Sequence, residues 1–277
     1  MNKTKLCPDL VRGAHLGDTL APMAVGVALT FLTWRYVLSL NFLPGLLMGF
    51  VLWRILVKAG TVQAGETGKN LTLHEYWGAV KTMARSKSVL LICSLAGMRT
   101  MTQIGLFTFL PIYLSYELKY PPALVGTYMT VAHAAGIFPS LISGPISDRK
   151  GRRPVLTAGL LTTSLLLVAL VIFRLQFLFA GVLAFLGFFM FSLGPVMLAW
   201  MMDLAPKNIS GTNVSALFGV QSLFGGFSPA LCGFIADRFG ILSSFYFLAF
   251  TIFAANFLVY LIPERPSVKQ EVLVPQP

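Results

Sequence analysis

The sequence predicts an all-α integral membrane protein with eight transmembrane helices. Three observations lead there: too few charges for a water-soluble domain, apolar runs of bilayer length, and cations gathered at alternate ends of those runs. Soluble domains are about a quarter charged, whereas this chain is 11% charged and 56% hydrophobic, with a mean hydropathy of +0.77. Crossing about 30 Å of hydrocarbon at about 1.5 Å per residue takes roughly 20 apolar residues.

Eight such spans run approximately over 12–33, 36–57, 88–114, 122–146, 155–173, 176–200, 211–236 and 241–262. Arg35 separates the first two, and Arg54 and Lys58 close the second. The third starts after Lys87 and reaches the turn at Lys119. Arg149 to Arg153 divide the fourth from the fifth, and Arg174, Lys207 and Arg238 mark the three turns that follow. Of the 21 Lys and Arg residues, sixteen fall on one side, four (Arg35, Lys119, Arg174, Arg238) on the other, and Arg99 lies inside the third span. The positive-inside rule then puts both termini in the cytoplasm. Trp34, Trp53 and Trp200 stand at expected span ends, where an amphipathic ring prefers to sit.

These features exclude several classes. A net charge of +11 would suit nucleic acid only if cations clustered with aromatics on a water-facing surface, and here they end apolar runs. Cys7, Cys93 and Cys232 are too scattered for a disulfide framework or a metal site, and read as packing residues. No cofactor motif and no nucleophile–base pair stands out, so an enzyme is not expected. The N-terminal apolar stretch is long and contains Asp18, unlike a signal peptide.

One long polar stretch, 59–87, separates the second span from the third. It opens Gly-rich, then Thr72-x-x-Glu75 forms a capping box. Leu73, Tyr76, Trp77, Val80 and Met83 follow at helical spacing opposite Lys81, Arg85 and Lys87. The pattern predicts a short amphipathic helix on the inner leaflet; the alternative is a disordered linker. The chain thus divides into a two-span unit (1–58), a cytoplasmic linker (59–87), a six-span unit (88–263) and a cytoplasmic tail (264–277).

The most charged short run is Gly144-Pro145-Ile146-Ser147-Asp148-Arg149-Lys150-Gly151-Arg152-Arg153-Pro154, a tight turn joining two spans at the membrane surface. Its core, Gly144-x-Ile146-x-Asp148-Arg149-x-Gly151, recurs as Gly233-x-Ile235-x-Asp237-Arg238-x-Gly240. Three spans separate the copies, which places them on opposite faces and predicts an inverted repeat of three helices. The first copy resembles the G-x-x-x-D-R-x-G-R-[KR] loop of the major facilitator superfamily. That resemblance implies that the last six spans are a complete second half of the family fold. The first two resemble the fifth and sixth helices of the first half, with the four helices before them absent. The motif Gly13-x-x-x-Gly17-Asp18-x-x-x-Pro22-x-x-x-Gly26 resembles the fifth helix of drug–proton antiporters, although Ala21 replaces one of its glycines. The resemblance implies a small-molecule secondary transporter of a cell membrane, coupled to protons and directed to efflux. The alternative is a truncated, non-transporting fragment that works only with the missing N-terminal helices.

Candidate pathway residues are the polar groups inside spans. Arg99, with Gln103 one turn later on the same face, is the sharpest, because an intramembrane charge is costly unless paired or hydrated. It reads either as a contact for an anionic substrate group or as half of a structural ion pair. Asp18 and His133 are candidates for carrying a coupling proton, against packing and hydrogen-bonding roles. Tyr128, Asn213, Gln221 and Asn256 read as interhelical hydrogen-bonding residues.

The hairpin residues Gly144, Asp148, Arg149, Gly151, Arg152 and Arg153 are expected to form a conformational latch. By the resemblance, the Asp148 carboxylate meets the positive end of the first helix, near residues 9–14, and pairs with Arg12. Stripes of small residues, Gly13, Gly17 and Ala21 on the first span and Ala132, Gly136, Ser140 and Gly144 on the fourth, predict that these helices pack antiparallel. Arg149, Arg152 and Arg153 brace the hairpin or meet anionic lipid. Single cysteines in the Tyr116–Lys119 and Arg238–Gly240 turns should label with a membrane-impermeant reagent from outside. Labelling at Arg149–Arg153 would reverse the topology.

Overall fold

The computed structural model describes residues 3–58, 86–172, 176–204 and 210–262. Every regular element among them is a helix: α1 Lys3–Phe31, α2 Trp34–Lys58, α3 Lys87–Tyr116, α4 Pro122–Ala135, α5 Ile137–Lys150, α6 Arg152–Ile172, α7 Gln176–Leu204, α8 Ser210–Phe239 and α9 Ile241–Leu261. The linker over 59–85, with its expected amphipathic helix, lies outside the described residues.

Six helices, α2, α3, α6, α7, α8 and α9, are long and apolar enough to cross a bilayer, and the bent pair α4 and α5 makes a seventh if it is one span. The apolar part of α1, Gly17–Phe31, is shorter than these. The expected fourth span is therefore not one straight helix: α4 ends at Ala135, and the stretches Pro122–Pro139 and Ile142–Lys150 are inclined at 49°. Pro139 supplies a reason. It has no N–H for the carbonyl of Ala135, the residue at which α4 ends. The Gly136 N–H turns instead to the carbonyl of His133 at 3.0 Å.

A second correction concerns Trp200. Its ring is 4% exposed and packs in the core, because α7 continues to Leu204 and carries position 200 inside the bundle. Trp34 and Trp53 are exposed as expected.

The inverted repeat shows in the packing. Labelling the repeats α3–α4/α5–α6 and α7–α8–α9, the contact of α3 with α8 is mirrored by that of α7 with α4 and α5. Contact of α9 with α3 is mirrored by α6 with α7, and α6 packs on α9 across the pseudo-axis. Serines fasten these contacts by donating to carbonyls on neighbouring helices: Ser228 Oγ to Met101 at 2.6 Å and Ser164 Oγ to Ala249 at 3.0 Å.

The repeat also shows in the backbone. Gly151 and Gly240, equivalent in the two motifs, have φ of 92° and 86°, with ψ of 147° and 156°. That region is almost confined to glycine, and it lets each helix turn back within one residue. A Cβ at Gly240 meets nothing within 4 Å, so the cost of adding one is backbone strain alone. Gly240→Ala should lower stability in detergent by roughly 1–3 kcal/mol. Gly233→Ala, where the nearest atom to the new Cβ is 3.8 Å away, should leave it unchanged or raise it. Thermal unfolding of the two variants checks this.

Candidate functional site

Arg99 lies on the fourth turn of α3 and is only 8% exposed. Its guanidinium crosses to α7, where Nη2 donates to the Met190 carbonyl at 2.5 Å. The absent side chain of Gly194 leaves room beside it, for a Cβ there would stand 3.8 Å from the guanidinium nitrogens. No carboxylate among the described residues pairs with Arg99, and its Nε is buried without a hydrogen-bond partner there. A charge held inside a span costs roughly 2.5–3.5 kcal/mol on insertion scales. One carbonyl satisfies one of its five N–H groups.

Elsewhere among α3, α4 and α7, three rings from three helices meet. His133 on α4 lies 4.3 Å from Phe107 on α3 and 5.6 Å from Phe191 on α7, centroid to centroid, with Phe107 and Phe191 5.9 Å apart. The Phe191 ring occupies the space where Gly136 lacks a side chain. His133 Nδ1 is 2.8 Å from the Met129 carbonyl. A carbonyl only accepts, so Nδ1 carries the hydrogen of this bond. Met190, whose carbonyl receives Arg99, and Phe191, whose ring joins the cluster, are consecutive residues of α7. Gln103, half-buried, follows Arg99 on the same face of α3.

Of the sequence candidates, Arg99 and His133 come together around α7. Asp18 does not join them among the contacts of the described residues; it is exposed on α1. Sequence reasoning missed Phe107, Phe191 and the Met190 carbonyl. Phenylalanines are common in an apolar chain, and a backbone acceptor has no residue signature. Tyr128 is a packing residue, with ring neighbours Tyr120 and Phe179 at 5.8 and 5.4 Å. Asn256 is 7% exposed, and its Oδ1 has no partner among the described residues. Gln221 is half-buried, and the Asn213 side chain lies outside the described residues. Cys93 and Cys232 are buried free thiols.

In the hairpin, Arg152 is the hub. It forms an ion pair with Asp148 one turn earlier and a second with Asp203 at the end of α7, Nε to Oδ2 at 3.1 Å. Its Nη1 donates to Ser147 Oγ at 2.5 Å. Arg153 donates to the Tyr260 carbonyl at 2.6 Å and lies 5.0 Å over that ring, tying α6 to the end of α9. The described partner of Asp148 is thus in its own hairpin. The expected pairing with Arg12 falls on a side chain outside the described residues. Asp203 was missed, although an acid at the end of a span stands out in a chain with ten Asp and Glu residues.

The expected approach of α1 to the fourth span occurs through other residues. A Cβ at Gly26 would lie 2.7 Å from the Pro122 carbonyl and 2.9 Å from the Gly126 Cα, and Thr130 Oγ1 donates to the Thr19 carbonyl at 3.0 Å. Pairing 26 with 122–126 and 19 with 130 makes the helices antiparallel. The stripe residues face elsewhere: Gly17 and Gly144 have nothing within 4 Å, while Gly136 meets Phe191 and Ala132 meets Gly187. Both α4 and α5 pack against α7, which takes these positions. Thr19→Cys with Thr130→Cys should cross-link under mild oxidation, and adding Gly126→Leu should abolish the cross-link.

The bundle with its inverted repeat is the architecture of a multi-pass membrane carrier. Residues 12–229 and 140–276 match the Major Facilitator Superfamily, and the chain belongs to it. A Haemophilus influenzae protein named for metabolite transport is 24% identical over 279 residues, covering 95% of this chain and 66% of that relative. A cis,cis-muconate transport protein of Acinetobacter baylyi is 23% identical over 283 residues, covering 99% of this chain and 66% of that relative. The chain therefore spans slightly less than two thirds of the length of each.

Proposed function

We propose that the chain is the working part of a proton-coupled secondary transporter of a small molecule, with its substrate path along the α3–α4–α7 face. The observation that carries this is Arg99, a buried cation of α3 with no acidic partner among the described residues, bonded to α7. Membership of a carrier family and two relatives named for transport support it. The names favour a metabolite-sized substrate over a bulky one. His133 is the proton carrier in this reading, since Asp18 is exposed on α1. Efflux against an inward proton flow is the direction that the α1 motif implies.

The organisation proposed is eight spans: residues 1–58 complete the first half, 59–87 link, 88–263 form the second half, and 264–277 trail in the cytoplasm. In this reading the hairpin of Gly144, Asp148, Arg149, Gly151, Arg152 and Arg153 is the latch of the inner face. The Arg152 bridge to Asp148 and Asp203 holds its α6–α7 side. A second reading, favoured by the 66% span of both relatives, is that transport needs further helices supplied with this chain.

The test is reconstitution of the full chain in vesicles carrying a pH-sensitive dye, alone and beside a version completed with four helices. A metabolite panel should drive proton movement opposite to substrate movement, and His133→Gln should uncouple the two. Substrate movement without proton movement would remove the coupling. Transport by the completed version alone would establish the second reading.

A further inference from the structure

We infer that the α5–α6 turn is a binding site for an anionic phospholipid, whose phosphate is met by Arg149 and Lys150 and whose acyl chain lies along the outer stripe of α5. The site is separate from the transport path and stands whether or not the chain moves a substrate. Four cations crowd this turn, and the structure sorts them into two kinds. Arg152 is committed to Asp148, Asp203 and Ser147, and Arg153 to the carbonyl and ring of Tyr260. Arg149 and Lys150 are exposed and form no ion pair among the described residues. Asp148, the acid nearest to them in the chain, is paired with Arg152, so it opposes an approaching phosphate little. The negative end of the α5 dipole, about half a charge, is outweighed by the two cations in its last turn.

The same helix provides the bed for the lipid chain. Phe138, Ile142 and Ile146 recur every four residues and are exposed, and Arg149 continues that face, whereas Ser143 and Ser147 are buried. Serines inward and apolar side chains outward is the pattern of a helix facing hydrocarbon. The inverted repeat supplies a comparison within the molecule. Phe227, Leu231 and Arg238 on α8 hold the repeat positions of Phe138, Ile142 and Arg149 and are also exposed. There Phe239 stands in place of Lys150, and Arg238 lies 5.0 Å over the Phe234 ring. Both stripes suit an acyl chain, but only that of α5 ends in a pair of exposed cations.

The test is photo-crosslinking of the full chain in vesicles of equal phosphatidylglycerol and phosphatidylcholine. A photoreactive benzoylphenylalanine replaces Ile142 or Leu231, and mass spectrometry identifies the captured lipid. At 142 phosphatidylglycerol should be captured roughly tenfold over phosphatidylcholine, somewhat under the product of a roughly fivefold gain from each of two exposed cations, because salt screens them. At 231 the ratio should be several-fold smaller. Arg149→Gln with Lys150→Gln should bring the ratio at 142 down to that at 231, while Arg238→Gln should leave it unchanged. Equal capture of the two lipids at 142 with both cations intact overturns the inference, as does a ratio that survives the double substitution. Loss of the ratio on adding millimolar inorganic phosphate at constant ionic strength overturns it too, because the turn is then a site for free phosphate and not for lipid.

Discussion

Helices in hydrocarbon have no hydrophobic reason to prefer one another over lipid, so close backbone approach and hydrogen bonds between helices must hold them together. This constraint shapes the bundle. Where α1 crosses α4, Gly26 and Gly126 bring the backbones to contact distance, and Thr130 bonds the carbonyl of Thr19. Within the inverted repeat, Ser228 and Ser164 bond carbonyls of neighbouring helices that lie far away in sequence. The exposed Phe and Leu side chains of α2, α8 and α9 are the other side of the same rule, because in lipid an apolar surface needs no cover.

Against that background a buried guanidinium is costly, and the fold does little to offset it. Contrast Arg152, which lies at the start of α6 and has two carboxylates and a serine. Arg99 lies deeper and has one carbonyl. The break after α4 connects the two regions. It turns α5 onto α7, whose end carries Asp203, and it places Gly136 where the Phe191 ring enters the cluster.

Much of this was legible in the chain. The span boundaries followed from length and charge, and those of α3 and α9 moved by two residues or fewer. The repeated motif foretold two matching turns, and both adopt the same positive φ because only glycine tolerates it. Arg99 was visible because a charge in an apolar run is conspicuous. The break at Gly136 was harder to see, since proline interrupts α2, α3, α7 and α8 without ending them. Whether a proline bends or breaks a helix depends on what its neighbours supply to the freed carbonyl.

The sequence by itself determined that this is a multi-pass helical membrane protein of a carrier family, since composition, spacing of apolar runs and a repeated motif are local properties. Only the tertiary structure decided the partners. It showed which glycines bring α1 to α4, that Trp200 turns inward, and that Arg152 reaches Asp203 across 51 positions. It also set the Arg99 guanidinium on the Met190 carbonyl and brought rings of three helices together. Those facts depend on the relative rotation of packed helices, and small residues that permit an approach do not by themselves say which helix will make it.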